Sequence, residues 1–203
     1  MSPRPKAPVA APSQVARPHG GAGEVRIVGG RWKRTPLPVP DLPGLRPTPA
    51  RVRETLFNWL GQDLSGWRCI DVFAGSGALG LECASRGAAQ VLLCEQDVKL
   101  VAALKALCIR LSAASVEVRR GDGLAALRSA PAAWDLVLLD PPFEANLFDA
   151  ALKAAAAGLA ANGRLYLEAP EAWDTARLAE LGWSVERHLR AGAVHAHLLR
   201  RAS

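Results

Sequence analysis

The chain has one tyrosine, one methionine, four histidines and four cysteines in 203 residues, and aromatic side chains make up only 5% of it. No apolar stretch reaches about 18 residues free of charge, so no membrane-crossing helix is expected. The cysteines (Cys69, Cys83, Cys94, Cys108) form no C-x-x-C pair and have no histidine at ligand spacing. That argues against a zinc knuckle or a disulfide scaffold, and the thiols read as reduced core residues of a cytoplasmic protein. The first residues are basic and rich in Pro and Ala but lack an apolar core of signal-peptide length, so no secretory leader is expected. Internal repeats are absent as well.

What is present is a 50% hydrophobic chain, enough for one sizeable core with an appendage. The net charge is +6 and unevenly placed. Through Glu54 ten Lys/Arg oppose three acids, whereas the rest of the chain is one charge negative. A basic arm on a near-neutral domain is a footprint for a polyanion. Residues 1–23 read as a disordered basic tail. Residues 24–45 read as a basic hairpin and linker, and 46–203 as the main domain.

In the arm, Glu24–Val28 alternates polar and apolar residues, Gly29-Gly30 supplies a turn, and Arg31-Trp-Lys-Arg34 is expected as the cationic second strand. Trp32 could stack on a base while Arg31, Lys33 and Arg34 reach phosphates, or it could anchor the core; the residues leave both open. Pro36, Pro38, Pro40 and Pro43 read as a linker. Thr48 is placed to cap a helix with Pro49 at its first position. Val52, Leu56, Trp59 and Leu60 repeat at helical spacing, and Arg51 and Arg53, off that stripe, are expected to face solvent or ligand.

From Trp67 on, apolar strand-like runs (69–73, 90–95, 116–119, 134–140, 163–168) alternate with helical patterns (78–85, 98–111, near 124–127, 147–159). This predicts a doubly wound, mostly parallel α/β sheet covered on both faces. After a helical stretch at 173–181, two further strands (183–189, 194–200) flank Ala191-Gly192 and predict an antiparallel hairpin at the sheet edge.

Ligands of such sheets bind beyond the carboxyl ends of the strands. The first strand ends in Asp71 and passes into Gly75-x-Gly77-x-x-Gly80, a strand-to-helix turn where the backbone can approach a ligand. Those glycines alone would equally suit a dinucleotide, but an acid at the approach repels a pyrophosphate and attracts a cation such as S-adenosylmethionine. The second strand ends in Glu95, where a carboxylate could hold ribose hydroxyls. The third ends in Asp122, which could accept from an adenine amine or simply form a turn. The fourth ends in Asp140-Pro141-Pro142-Phe143. Two prolines stiffen this corner, its carbonyls and Asp140 can accept both N–H bonds of an exocyclic amine, and Phe143 offers a face for a flipped base. No metal is needed for such chemistry.

With these residues in view, the sequence resembles the class I S-adenosylmethionine-dependent methyltransferases that act on amino groups, and more narrowly the family that methylates guanine N2 in 16S ribosomal RNA. The resemblance is carried by Val25–Trp32, Arg46-Pro-Thr48, Arg51–Leu60, Asp71–Gly77 and Asp140–Phe143. It implies a seven-stranded Rossmann-like sheet. Asp71, Phe73, Ala74, Gly75, Gly77, Glu95, Gln96, Asp122 and Thr48 would then surround the cofactor, with Asp140, Pro141, Pro142 and Phe143 at the base. Arg26, Arg31, Trp32, Lys33, Arg34, Arg46, Arg51 and Arg53 would contact RNA, either in small-subunit ribosomal RNA or in an assembling 30S subunit, and the chain would act as a monomer. Where the family is expected to carry a late-strand Tyr, this chain has His195 and His197, which read as surface or edge histidines. Competing readings are a DNA adenine-N6 or protein glutamine-N5 methyltransferase, a non-catalytic ribosome-assembly factor, and a nicotinamide oxidoreductase.

Overall fold

The computed structural model describes residues 23–40, 47–142 and 147–202. In chain order the elements are β1 (Gly23–Arg26), β2 (Pro36–Val39), α1 (Ala50–Leu60), β3 (Arg68–Asp71), α2 (Ala78–Ser85), β4 (Gln90–Glu95), α3 (Val98–Arg110), β5 (Val116–Arg120), α4 (Gly123–Ser129), β6 (Trp134–Leu139), α5 (Phe148–Gly158), β7 (Leu159–Ala169), α6 (Thr175–Glu180), β8 (Trp183–Ala191) and β9 (Val194–Arg201). The main sheet runs β5-β4-β3-β6-β7-β9-β8. β5 through β7 are parallel neighbours, while β9 runs antiparallel to both β7 and β8. The chain winds outward from β3 to β5, then returns to place β6 beside β3, so the switch in strand order falls between β3 and β6, next to the glycine turn.

Side chains alternate along each strand, and the core divides accordingly. Cys69, Val91, Leu93, Leu136, Leu138 and Tyr166 face α1, α2 and α3, together with Leu56, Phe57, Leu81 and Leu104. Ile70, Leu92, Val137, Leu139, Leu165 and Leu167 face the other layer, with Leu127, Leu152 and Leu178 from α4, α5 and α6. These continuous apolar strands are what a sheet covered on both faces requires.

The N-terminal hairpin differs from the sequence expectation. Arg31–Arg34 is a turn, not a strand, and β1 pairs with the proline segment Pro36–Val39. Pro36 and Pro38 are tolerated because the sheet has two strands, so each can turn its missing N–H away from the partner. The alternate residues Leu37 and Val39 are buried. Arg34 closes the turn at φ +69°, its amide donating to Ile27 O at 2.8 Å.

Glu82, on the wholly buried helix α2, clamps this hairpin to the domain. Its carboxylate accepts from the amides of Val28 (2.9 Å) and Gly29 (2.6 Å), from Arg53 Nη1 (3.2 Å), and from Arg86 Nε (3.1 Å) and Nη2 (3.0 Å). Arg86 also reaches Gln62. Arg53, expected to face solvent or RNA, is therefore fully buried. The residue is off the apolar stripe of α1, yet the hairpin covers that side of the helix and a carboxylate waits beneath it. Glu82→Ala is expected to lower stability by about 3–5 kcal/mol, because it leaves two buried guanidinium groups unpaired; urea unfolding measures this.

Candidate methyl-transfer site

The site is built at the carboxyl edge of the sheet. β3 passes into a loop that Gly77 turns in the left-handed region at φ +78°, where a side chain is strained. Gly80, one turn into α2, lies so close to the sheet that a Cβ would stand 2.2 Å from Leu93 Cδ2 and 3.1 Å from Asp71 Cβ. Only glycine allows helix and strand to approach this closely. The loop is tied to the next strand by Glu95, whose Oε2 accepts from Gly75 N at 2.9 Å while Oε1 accepts from Gln96 N and Asp97 N at 2.7 and 2.9 Å.

Asp71 does not line the mouth of this turn. The ladder pairs it with Leu138 and Leu93, two residues short of the edge where Asp140 and Glu95 stand, so the glycine loop and α2 close over it. Its carboxyl is buried, Oδ2 accepting from Gly80 N at 2.9 Å, and Oδ1 has no hydrogen-bond partner among the described residues. Burial pushes the group up to about 7, and the charges of Glu95 and Glu168 add to that. Read from the sequence as an acid at the approach to the glycine loop that would attract a cation, Asp71 instead sits beneath that loop and braces it from below.

Asp140 stands half-buried at the end of β6, with Pro141 buried and Pro142 exposed. Burial and the charges of Glu168 and Asp71 hold its carboxyl well above the usual range. Phe143 and Arg46 lie outside the described residues. Thr48 does not cap α1, where Pro49 takes the cap position; its hydroxyl donates instead to Glu168 Oε1 at 2.6 Å. Glu168 also accepts from Tyr166 OH at 2.9 Å. Sequence reasoning passed over Glu168, although it stands near the end of β7 as Glu95 and Asp140 stand at the ends of β4 and β6; its strand position was the available signal.

By alternation from Leu93, Cys69, Leu138 and Tyr166, the four acids Glu95, Asp71, Asp140 and Glu168 lie on one face of four adjacent strands. Against this row, the guanidinium of Arg53 is the cation that acts on Glu168. Phe73 is half-buried, Ala74 is buried, and Gln96 is exposed at this edge. Asp122 caps α4, accepting from Leu124 N at 2.8 Å, which a turn explains without a ligand.

The basic residues sort differently. Arg26, Arg31, Lys33, Arg34 and Arg51 are exposed, while Trp32 is buried in the main cluster as a core anchor, with the Arg31 guanidinium 4.3 Å above its ring. The turn is held at the far end of α2, where Arg31 N donates to Ser85 O at 2.8 Å. One helix length of eight residues, about 12 Å, therefore separates it from the glycine loop. A cleft of about 610 Å³ opens beside it, lined by Arg31, Gln62, Ser85, Arg86, Ser112 and Ser115, away from the strand-end acids.

His197, expected at the surface, is buried and accepts from Trp173 N at 3.2 Å; burial and the neighbouring His188 push it down to about 4. His188 and His195 stack beside it on the edge hairpin. Among the described residues no group of three side chains is arranged to hold a metal ion.

A family model described as Conserved hypothetical protein 95 matches residues 25–200. Ribosomal RNA small subunit methyltransferase D of Escherichia coli K12 is 39% identical over 185 residues, covering 90% of this chain and 93% of that protein. The protein of the same name from Haemophilus influenzae is 36% identical and covers 85% and 91%. The chain belongs to the ribosomal RNA small subunit methyltransferase D family. The solved structure of Escherichia coli yhhF has the same fold as this methyltransferase D family chain, with a TM-score of 0.75, 34% identity, and coverage of 89% of this chain and 99% of that one.

The donor set fits the S-adenosylmethionine that methyltransferase relatives imply. Glu95, Asp140 and Glu168 stand level at the strand ends, and among the described residues Arg53 is the cation that acts on Glu168, a donor set that suits a ligand bringing positive charge. Asp71 also sets a pH dependence. Its native carboxyl keeps a proton up to about 7, whereas the unfolded group ionises near 3.8. Its contribution to stability is therefore complete below about 4 and is lost as pH rises through about 7. Asp71→Asn keeps an acceptor for Gly80 and cannot ionise. Relative to the wild type it should gain stability, by up to a few kcal/mol, between pH 4 and pH 8 in paired urea titrations.

Proposed function

We propose that this chain transfers a methyl group from S-adenosylmethionine to the exocyclic N2 amine of a guanine in small-subunit ribosomal RNA. The observation that carries the reading is the in-register row Glu95, Asp140 and Glu168, with Asp71 one layer beneath, on one face at the ends of adjacent strands. Four carboxyl groups crowded on a half-buried edge are unfavourable unless cations or strong donors meet them. Both the cofactor and an amine substrate offer these.

Gly75 and Gly77, with Phe73, Ala74, Glu95 and Gln96, would hold the cofactor. Bound there, it would supply a methyl carbon made electrophilic by a positively charged sulfur. Thr48 would border the site from the start of α1, where it already holds Glu168. Asp140 and the diproline carbonyls would accept the amine N–H bonds, turning the nitrogen lone pair out of conjugation, and Asp140 would take the proton that the amine must lose. Arg26, Arg31, Lys33, Arg34 and Arg51 would contact RNA phosphates. Because the basic turn stands at the far end of α2, it would grip a part of the RNA about 12 Å or more from the reacting base.

Tritium transfer to small subunits from a strain lacking the protein, followed by mapping of the methylated base, tests the assignment. Asp140→Asn is expected to reduce kcat by about 10²-fold or more with little change in RNA affinity; an unimpaired variant removes Asp140 from the chemistry. Changing Arg31, Lys33 and Arg34 together to Ala should reduce the slope of log K against log salt by about 3 in filter-binding titrations.

A further inference from the structure

The proposed reaction uses Asp140 and leaves Glu168 without a task, yet the fold goes to some length to hold it. The β6–β7 ladder aligns Leu138 with Tyr166 and Leu139 with Leu167, and its continuation sets Asp140 beside Glu168 on the face of α1 and α2. Glu168 is 2% exposed. Thr48 from the segment before α1 and Tyr166 from β7 both donate to Oε1, and among the described residues no donor meets Oε2. Among the described residues no donor meets Asp140 either, so two carboxyl groups stand side by side at the strand ends with only one of their four oxygens engaged, an arrangement in which like charges disfavour ionising both.

We infer that Glu168 is a positioning residue of the methyl-transfer site: with Asp140 it forms a carboxyl pair that keeps one proton in the free protein, surrenders it when the cationic methyl donor binds, and takes up the amine proton during transfer. This rests on the methyl-transfer reading. The groups facing the pair are Asp71 from β3 with Glu95 from β4 beyond it, Tyr166 on β7, and Arg53 from α1. Glu82 on α2 is engaged by Arg53 and Arg86. On β9, Ala196 and Leu198 face this side, and His195 and His197 alternate onto the other.

The hydrogen bonds place the proton on Asp140, because Thr48 and Tyr166 donate to Glu168 and favour its ionised form, whereas among the described residues no donor meets Asp140. Burial and the charges of Glu168 and Asp71 raise it, whereas Glu168, also raised by burial, is held down by Thr48, Tyr166 and Arg53. A positive ligand beside the pair favours the doubly ionised form, so binding expels the proton. During transfer the amine lone pair forms the C–N bond, the C–S electrons stay on sulfur, and the N–H proton passes to the Asp140 carboxylate. One positive and one negative charge vanish together, so the closed site keeps its net charge.

The test is calorimetry of S-adenosylmethionine binding near pH 7 in buffers of different ionisation enthalpy, with the pH profile of kcat/KM for the cofactor. The wild type should release about one proton on binding, and the neutral-sulfur product S-adenosylhomocysteine fewer. Glu168→Gln removes the like charge, so proton release should fall and the acid limb of the profile should move down by about one pH unit or more. Tyr166→Phe removes a donor to ionised Glu168 and should move the limb up. Buffer-independent heats in the wild type overturn the inference. So does a limb that stays in place in both variants; if Glu168→Gln does not fold by circular dichroism, an unmoved limb in Tyr166→Phe alone overturns it. If the wild type methylates no guanine, the functional reading fails while the proton count still decides whether the pair exists.

Discussion

The buried carboxylate of Glu82 fastens the N-terminal hairpin and α1 to the sheet domain, and the start of α1 borders the site through that attachment. One side chain in the middle of α2 holds the amides of the hairpin entry, the guanidinium of α1 and that of its own next turn. Charge-assisted bonds in a dry interior are strong when every partner is present and damaging when one is missing. Arg53 then carries the restraint onward, since its Nε donates to Thr48 O at 3.1 Å and Thr48 in turn holds Glu168. The N-terminal appendage is thereby connected, bond by bond, to the carboxyl edge of the sheet.

That edge shows the opposite balance. Around Glu82 one carboxylate meets two guanidinium groups, whereas among the described residues the four acids Glu95, Asp71, Asp140 and Glu168 outnumber the cations beside them. A parallel sheet makes such a row easy to build, because strands in register bring the same side of each strand end to one level. Burial then raises Asp71, Asp140 and Glu168, and carboxyl groups crowded in this way favour cationic ligands and N–H donors. The same crowding holds the Asp140 carboxyl well above the usual carboxylate range.

The order of strands and helices was legible because apolar runs and helical stripes differ in period, and the C-terminal hairpin was legible from its turn. The strand-end positions of the glycine turn, Glu95 and Asp140 were legible because each follows an apolar run. Three readings went astray for separate reasons. Arg53 looked exposed because a helix stripe says nothing about a hairpin packed against its other side. Pro36–Val39 looked like a linker because proline is rare in strands, and only the free edges of a two-stranded sheet accommodate it. Asp71 looked like a wall of the site because sequence shows where a strand ends but not how far its neighbours extend past it.

The sequence by itself determined the alternation of strand and helix, the close-packed glycines, the basic arm and the acid-proline corner, all of which are written in local residue type and spacing. Only the tertiary structure decided which acids stand level, which are roofed over, and which cation is matched by which anion. Register between strands and contact across 120 residues, as between Thr48 and Glu168, arise from packing the whole chain at once, and no local pattern encodes them.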